Sequence, residues 1–200
     1  MKTIGLALLA TVAAAPLFAE DGHREMGAHV HGVSKLEMAV EGSTVEMNLE
    51  SPGMDIVGFE YEPSTDADLA AVENAIAQLM RADELFAFND AAGCAPVEAM
   101  AELHIHDGDE HDHGEDHADH EEEHHDEHGD EEHEHEEGAR HTEFEAHYVF
   151  ECEDTSALTT VEFPFFNHFE NAHEIEAQYV TDAGAGSAEI DHDVAKLTLK

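Results

Sequence analysis

Residues 104–141 cannot pack into a protein core. The stretch reads HIHDGDEHDHGEDHADHEEEHHDEHGDEEHEHEEGARH, histidine interleaved with Asp and Glu and almost no apolar side chain. A segment with so little to bury cannot offset its conformational entropy, so it reads as a long disordered loop carried by a folded domain. It holds twelve of the nineteen histidines in the chain. Neutral imidazole is a preferred ligand for zinc, copper and nickel, and carboxylates add oxygen donors that cancel a cation's charge.

The spacing within the tract suits metal ions but defines no unique ligand set. The HxH pairs are His104 with His106, His111 with His113, and His133 with His135. The HxxH pairs are His117 with His120 and His125 with His128; His124 and His141 add two more imidazoles. Either spacing lets a short piece of chain give two nitrogens to one ion, with a nearby carboxylate completing a tetrahedron. Overlapping pairs predict several exchangeable ions per chain, each of modest affinity because ordering a floppy loop costs free energy. A merely solvating loop would need the acids, but not so many histidines.

The rest of the composition narrows the setting. Lys2, the apolar and small-residue run Ile4–Ala15, and Ala19 ahead of Glu20-Asp21 read as a cleaved signal peptide over residues 1–19. The run is too short and too weakly apolar for a transmembrane helix, and no later segment could span a bilayer. Residues 20–200 then form a single metal-binding domain interrupted by the 104–141 loop. Cys94 and Cys152 are an even pair in an exported chain and read as one disulfide, with thiolate metal ligation as the alternative. Together these features point to the periplasm. A formal charge of −42 repels nucleic acid and anionic lipid and attracts divalent cations.

The predicted fold is α+β, a mainly antiparallel sheet with one amphipathic helix. Leu36, Met38 and Val40, then Val45, Met47 and Leu49, alternate with polar residues around Glu41-Gly42-Ser43-Thr44, which predicts a hairpin with one buried face. Residues 66–81 switch to helical spacing, with Leu69, Val72, Ile76 and Leu79 in one stripe and a capping box at Thr65 and Asp68. Residues 94–105 and 143–152 read as partner strands, so the tract caps a hairpin whose far end carries the cysteines; Pro96 marks an edge or a bulge. Strands are also expected at 158–163 and 173–179, and a Gly- and Ala-rich turn at 182–187, for about six strands in all.

One structured site is expected beside the loop. His29-Val30-His31 precedes the first strand, and in extended chain both imidazoles would project from one face. His104 or His106, His141 and Glu60 are candidates to complete it. His147 shares a strand face with Glu143, Glu145 and Glu151 and reads as solvated; His168, His173 and His192 stand singly. The chain shows no GxSxG, so a binding protein is expected rather than an enzyme.

HVHG at 29–32, the hairpin, SPGMDIVGFE, the His-rich insertion, Cys94 and Cys152 together resemble the zinc-regulated periplasmic ZrgA-like family of bacteria over most of the mature chain. Tyr61 stands where that pattern has a histidine after Glu60. The resemblance implies periplasmic zinc binding in support of zinc uptake, with a metal-import component as a partner. Composition alone gives only transition-metal binding, and Cu²⁺, Ni²⁺ or Co²⁺ would suit the same ligands. The rival readings are a copper or nickel storage or detoxification protein, the substrate-binding component of a metal ABC importer, and a module whose acidic loop docks a cationic partner. The importer subunit fits poorly, since such proteins have two α/β lobes and this core is short and β-rich.

Overall fold

Alternation of apolar and polar residues builds the first hairpin. In β1 (Val33–Glu41) Leu36 and Met38 turn inward while Lys35 and Glu37 turn out, and β2 (Thr44–Pro52) repeats the pattern with Val45, Met47 and Leu49. The strands pair from Lys35↔Glu50 to Glu41↔Thr44, so Gly42 and Ser43 alone make the turn, and Gly42 takes a positive φ of 61°. These coordinates are a computed structural model, which describes residues 30–106 and 141–199. The expected signal peptide over 1–19 and the candidate His29 lie outside the described residues. So do the loop candidates His111, His113, His117, His120, His124, His125, His128, His133 and His135.

A six-stranded sheet follows. β4 (Cys94–His106) and β5 (His141–Cys152) form the hairpin that carries the tract, and β7 (Glu174–Thr181) and β8 (Gly184–Asp191) form another. The strand order is β4-β5-β2-β1-β7-β8, antiparallel throughout except for the parallel pair β1–β7. Cys94 and Cys152 face each other across β4 and β5 and are disulfide-bonded. Pro96 sits on the edge strand at a register shift between Pro96 and Glu98, where a missing N–H does no harm. His104, His106 and His141 belong to these strands rather than to the loop, since the ladder continues as far as His106↔His141.

One face of the sheet is the core. Leu36, Met47, Leu49, Phe144, Tyr148, Phe150 and Ile175 are almost fully buried there. Against them lie α1 (Gly53–Val57), α2 (Asp66–Leu79), α3 (Ala82–Leu85) and a small sheet of β3 (Ala87–Phe88), β6 (Thr160–Glu162) and β9 (Lys196–Thr198). Phe86 ties the layers together, meeting Tyr148 edge-on at 5.0 Å and Phe163 at 5.7 Å. Thr65 and Asp68 form the capping box of α2, whose buried face is Val72, Ala75 and Leu79, while Leu69 is exposed.

The other face is open and acidic. Directly opposed residues share a face, and the pairings place Glu102, Glu145, Glu50, Lys35, Glu176 and Glu189 in one row across all six strands. A groove of about 540 Å³ lies on this face beside Glu50, Glu102 and Glu145.

Two expectations need correction. Gly184 to Ser187 is the start of β8, not a turn, because Gly186 faces Tyr179 and any Cβ there would meet the tyrosine ring. The expected six strands are nine in two sheets among the described residues; the expected strand at 158–163 is β6, while β3 and β9, of two and three residues, are too short to show a period.

Candidate metal centre

His31 does not stand in extended chain. Val30 to Val33 form a turn closed by the Val33 N–H on the Val30 carbonyl at 3.1 Å, and Gly32 takes the positive φ of 87° that this turn requires. Both polar groups of Gly32 are held. Its N–H donates to Asp55 Oδ1 at 2.7 Å, and its carbonyl accepts from the N–H groups of His173 and Glu174, each at 2.8 Å. A Cβ on Gly32 would lie 2.8 Å from His173 Cδ2. The local sequence thus aims His31 by turn geometry, which corrects the extended reading of HVHG.

Glu60 arrives from another direction. α1 ends at Gly58, whose φ of 81° and N–H bond to the Met54 carbonyl reverse the chain. The Thr142 N–H then donates to the Glu60 carbonyl at 2.9 Å, pinning this segment against the root of β5. Gly53 allows the close approach, since a Cβ there would meet Thr142 Oγ1 and lie 2.6 Å from the Phe59 carbonyl.

The three elements converge on one oxygen. Glu60 Oε2 is 3.0 Å from His31 Nε2 and 3.2 Å from His141 Nδ1. Glu60 is largely buried, its side chain 12% exposed, while both imidazoles sit at the rim, 60% and 52% exposed. Its second oxygen, Oε1, is shielded from solvent and has no hydrogen-bond partner among the described residues. Zinc ligands at 2.0–2.2 Å in a tetrahedron stand roughly 3.4 Å apart. Each nitrogen–oxygen distance is near that spacing, but the three ligand atoms do not all lie within 4.8 Å of one another, so an ion shared by them would draw the two rim imidazoles together. The buried oxygen without a donor is the acceptor such an ion would satisfy.

Asp55 lies behind this group. It is 1% exposed, and its Oδ2 has no hydrogen-bond partner among the described residues. Burial raises its carboxyl above the ordinary range; the Gly32 N–H opposes this, the charge of Glu60 adds to it, and His173 and His31 draw it down again.

Of the candidate ligands, the structure brings together His31, Glu60 and His141. It places His104 elsewhere, with Nε2 3.2 Å from Glu102 Oε1 and 3.5 Å from Glu145 Oε2, and His106 beside Glu143 at 3.3 Å. His29, the expected partner of His31, and the tract candidates His111, His113, His117, His120, His124, His125, His128, His133 and His135 are outside the described residues, so the centre is built without them. His147 donates to Asn48 Oδ1 at 2.8 Å on the polar face. Asp55, Glu102, Glu143 and Glu145 escaped the sequence reading as candidate ligands. The signal for three of them was available: Glu102-x-His104-x-His106 and His141-x-Glu143-x-Glu145 are period-two runs that put acids and imidazoles on one face of a hairpin.

Among the described residues no helix is long and apolar enough to cross a membrane. A family model described as "ZrgA family zinc uptake protein" matches residues 28–199. No curated protein matches the chain.

Proposed function

The chain belongs to the ZrgA family of zinc uptake proteins, and from that premise we propose that it is a periplasmic zinc-binding protein which captures Zn²⁺ in support of uptake. The tract gathers ions in loose, exchangeable sites, and the His31–Glu60–His141 centre holds one more firmly, because its ligands are carried by a turn, a helix cap and a strand and need less ordering than those of the tract. A cleaved leader delivers the protein to the periplasm, and a component of the import machinery receives the metal. The protein acts by binding, without catalysis.

The observation that carries this reading is the shared oxygen of Glu60, held between two imidazoles while its partner oxygen is buried without a donor. Competition titration of the full chain against a chromophoric zinc chelator tests it. Glu60→Gln, or His31→Ala with His141→Ala, should weaken the tightest phase at least tenfold and leave the weaker phases intact. A tightest phase unchanged in both variants would return the whole metal chemistry to the tract.

A further inference from the structure

We propose that Glu102, His104 and Glu145 form a second, separate zinc site on the open face of the β4–β5 hairpin. This rests on the reading that the chain handles zinc, and adds to it a further resting point down the hairpin from the His31–Glu60–His141 centre, on the side away from the tract. Glu102 and Glu145 are directly opposed across the two strands, and His104 follows Glu102 on the same face. One ligand atom from each residue lies within 4.8 Å of the other two.

Two further observations make this a ligand set rather than an acidic patch. His104 Nε2 is shielded from solvent and makes no hydrogen bond among the described residues, although carboxylate oxygens stand at 3.2 and 3.5 Å. The nitrogen lies near both oxygens without the alignment of a hydrogen bond, an arrangement that a cation between them would complete. Opposed carboxylates also repel. The lysine of their row, Lys35, lies two strands from Glu145, roughly 10 Å away, so it neutralises them poorly.

The site is open to ions and connected to the first centre. Glu102 and Glu145 border the 540 Å³ groove of the open face. His106 comes next along β4, its ring centroid 6.4 Å from that of His104, with Glu143 at 3.3 Å. Directly across from His106 is His141, already on Glu60. Imidazoles and carboxylates therefore continue along one face from Glu102 to Glu60, in steps of about 7 Å along each strand. One nitrogen and two carboxylates make a weaker zinc site than two nitrogens and one, so this second site should fill after the first and exchange faster.

The test is zinc titration of the isotope-labelled full chain, followed by long-range proton–nitrogen spectra of the imidazoles. His104 Nε2 should move to the metal-bound region after His31 and His141 have done so. Glu102→Gln with Glu145→Gln should raise the zinc concentration needed to saturate His104 at least tenfold, whereas Glu50→Gln, in the same row, should not change it; backbone amide spectra show that each variant is folded. If His31 and His141 respond and His104 does not, up to a tenfold excess of zinc, the second site is overturned and the first stands. If neither His31 nor His141 responds, the proposed centre fails; a response at His104 alone would then still uphold the second site.

Discussion

Asp55 has a donor for one oxygen and none for the other, in a place almost free of solvent. Its carboxyl is raised, with burial as the largest cause, so between its ordinary value and its raised one the folded state binds the proton that the unfolded state has lost. This group's contribution to stability is therefore greatest at low pH, falls as pH rises through that window, and stays low above it. Asp55→Asn keeps an acceptor for the Gly32 N–H and removes the buried charge. The variant's stability relative to wild type, measured by urea denaturation of the metal-free protein from pH 4 to 7, should improve as pH rises and then level off. A variant less stable by the same amount at every pH would mean that Asp55 acts only through its hydrogen bond. Zinc should bind this variant more weakly, because a negative charge behind Glu60 favours a cation in front of it. Gly53 has a different effect on the same centre. Gly53→Ala would press a methyl group into Thr142 and the Phe59 carbonyl, and should cost about 1–3 kcal/mol in denaturation while shifting Glu60 and weakening the tightest zinc phase.

The elements that could be read from sequence are those whose signal is local. The β1–β2 hairpin shows in its period of two, and α2 in its capping box, because each is written within about twenty residues. The pairing of β4 with β5 could be inferred across the tract from the two cysteines and the alternation of Phe144, Ala146, Tyr148 and Phe150. Long-range choices left no such mark. Nothing near Val33 announces that β1 will run parallel to β7, and the glycines of β8 look like a turn until Tyr179 is seen lying over Gly186. The site divides the same way: Glu60 and His141 could be named, but the turn that aims His31 depends on Asp55 and His173 from distant parts of the chain. The disulfide gives a prediction at this scale. It spans 58 residues and lies at the end of the hairpin opposite His106 and His141, roughly 40 Å away along the strands. Cys94→Ser with Cys152→Ser should therefore lower stability by about 4 kcal/mol, while the zinc titration of the folded variant stays as in wild type. Loss of zinc binding from a still-folded variant would instead couple the hairpin's two ends.

At the scale of the molecule, the chain joins a well-packed layer to a long run of charge, and the register of the hairpin shows how the two can be separated. His106 and His141 are directly opposed where the described strands end, so an Asn-Gly pair could join them as a two-residue turn in place of residues 107–140. That replacement removes nine of the nineteen histidines, eighteen of the forty-nine acidic residues and Arg140, taking the formal charge from −42 to −25. It leaves every core residue of the described part in place. The shortened protein should fold and be at least as stable as wild type without metal, because a shorter loop costs less to close and less charge repels itself. Its stability should also depend less on salt, since screening has less repulsion to relieve. Calorimetry should then show zinc stoichiometry falling to the ions held on the folded face, with the tightest phase unchanged, because His31, Glu60, His141, Glu102, His104 and Glu145 all remain. Stoichiometry equal to wild type would show that the tract is not the store. Loss of the tightest phase from a folded variant would show that the tract supplies ligands to the His31–Glu60–His141 centre, making loop and sheet one binding unit.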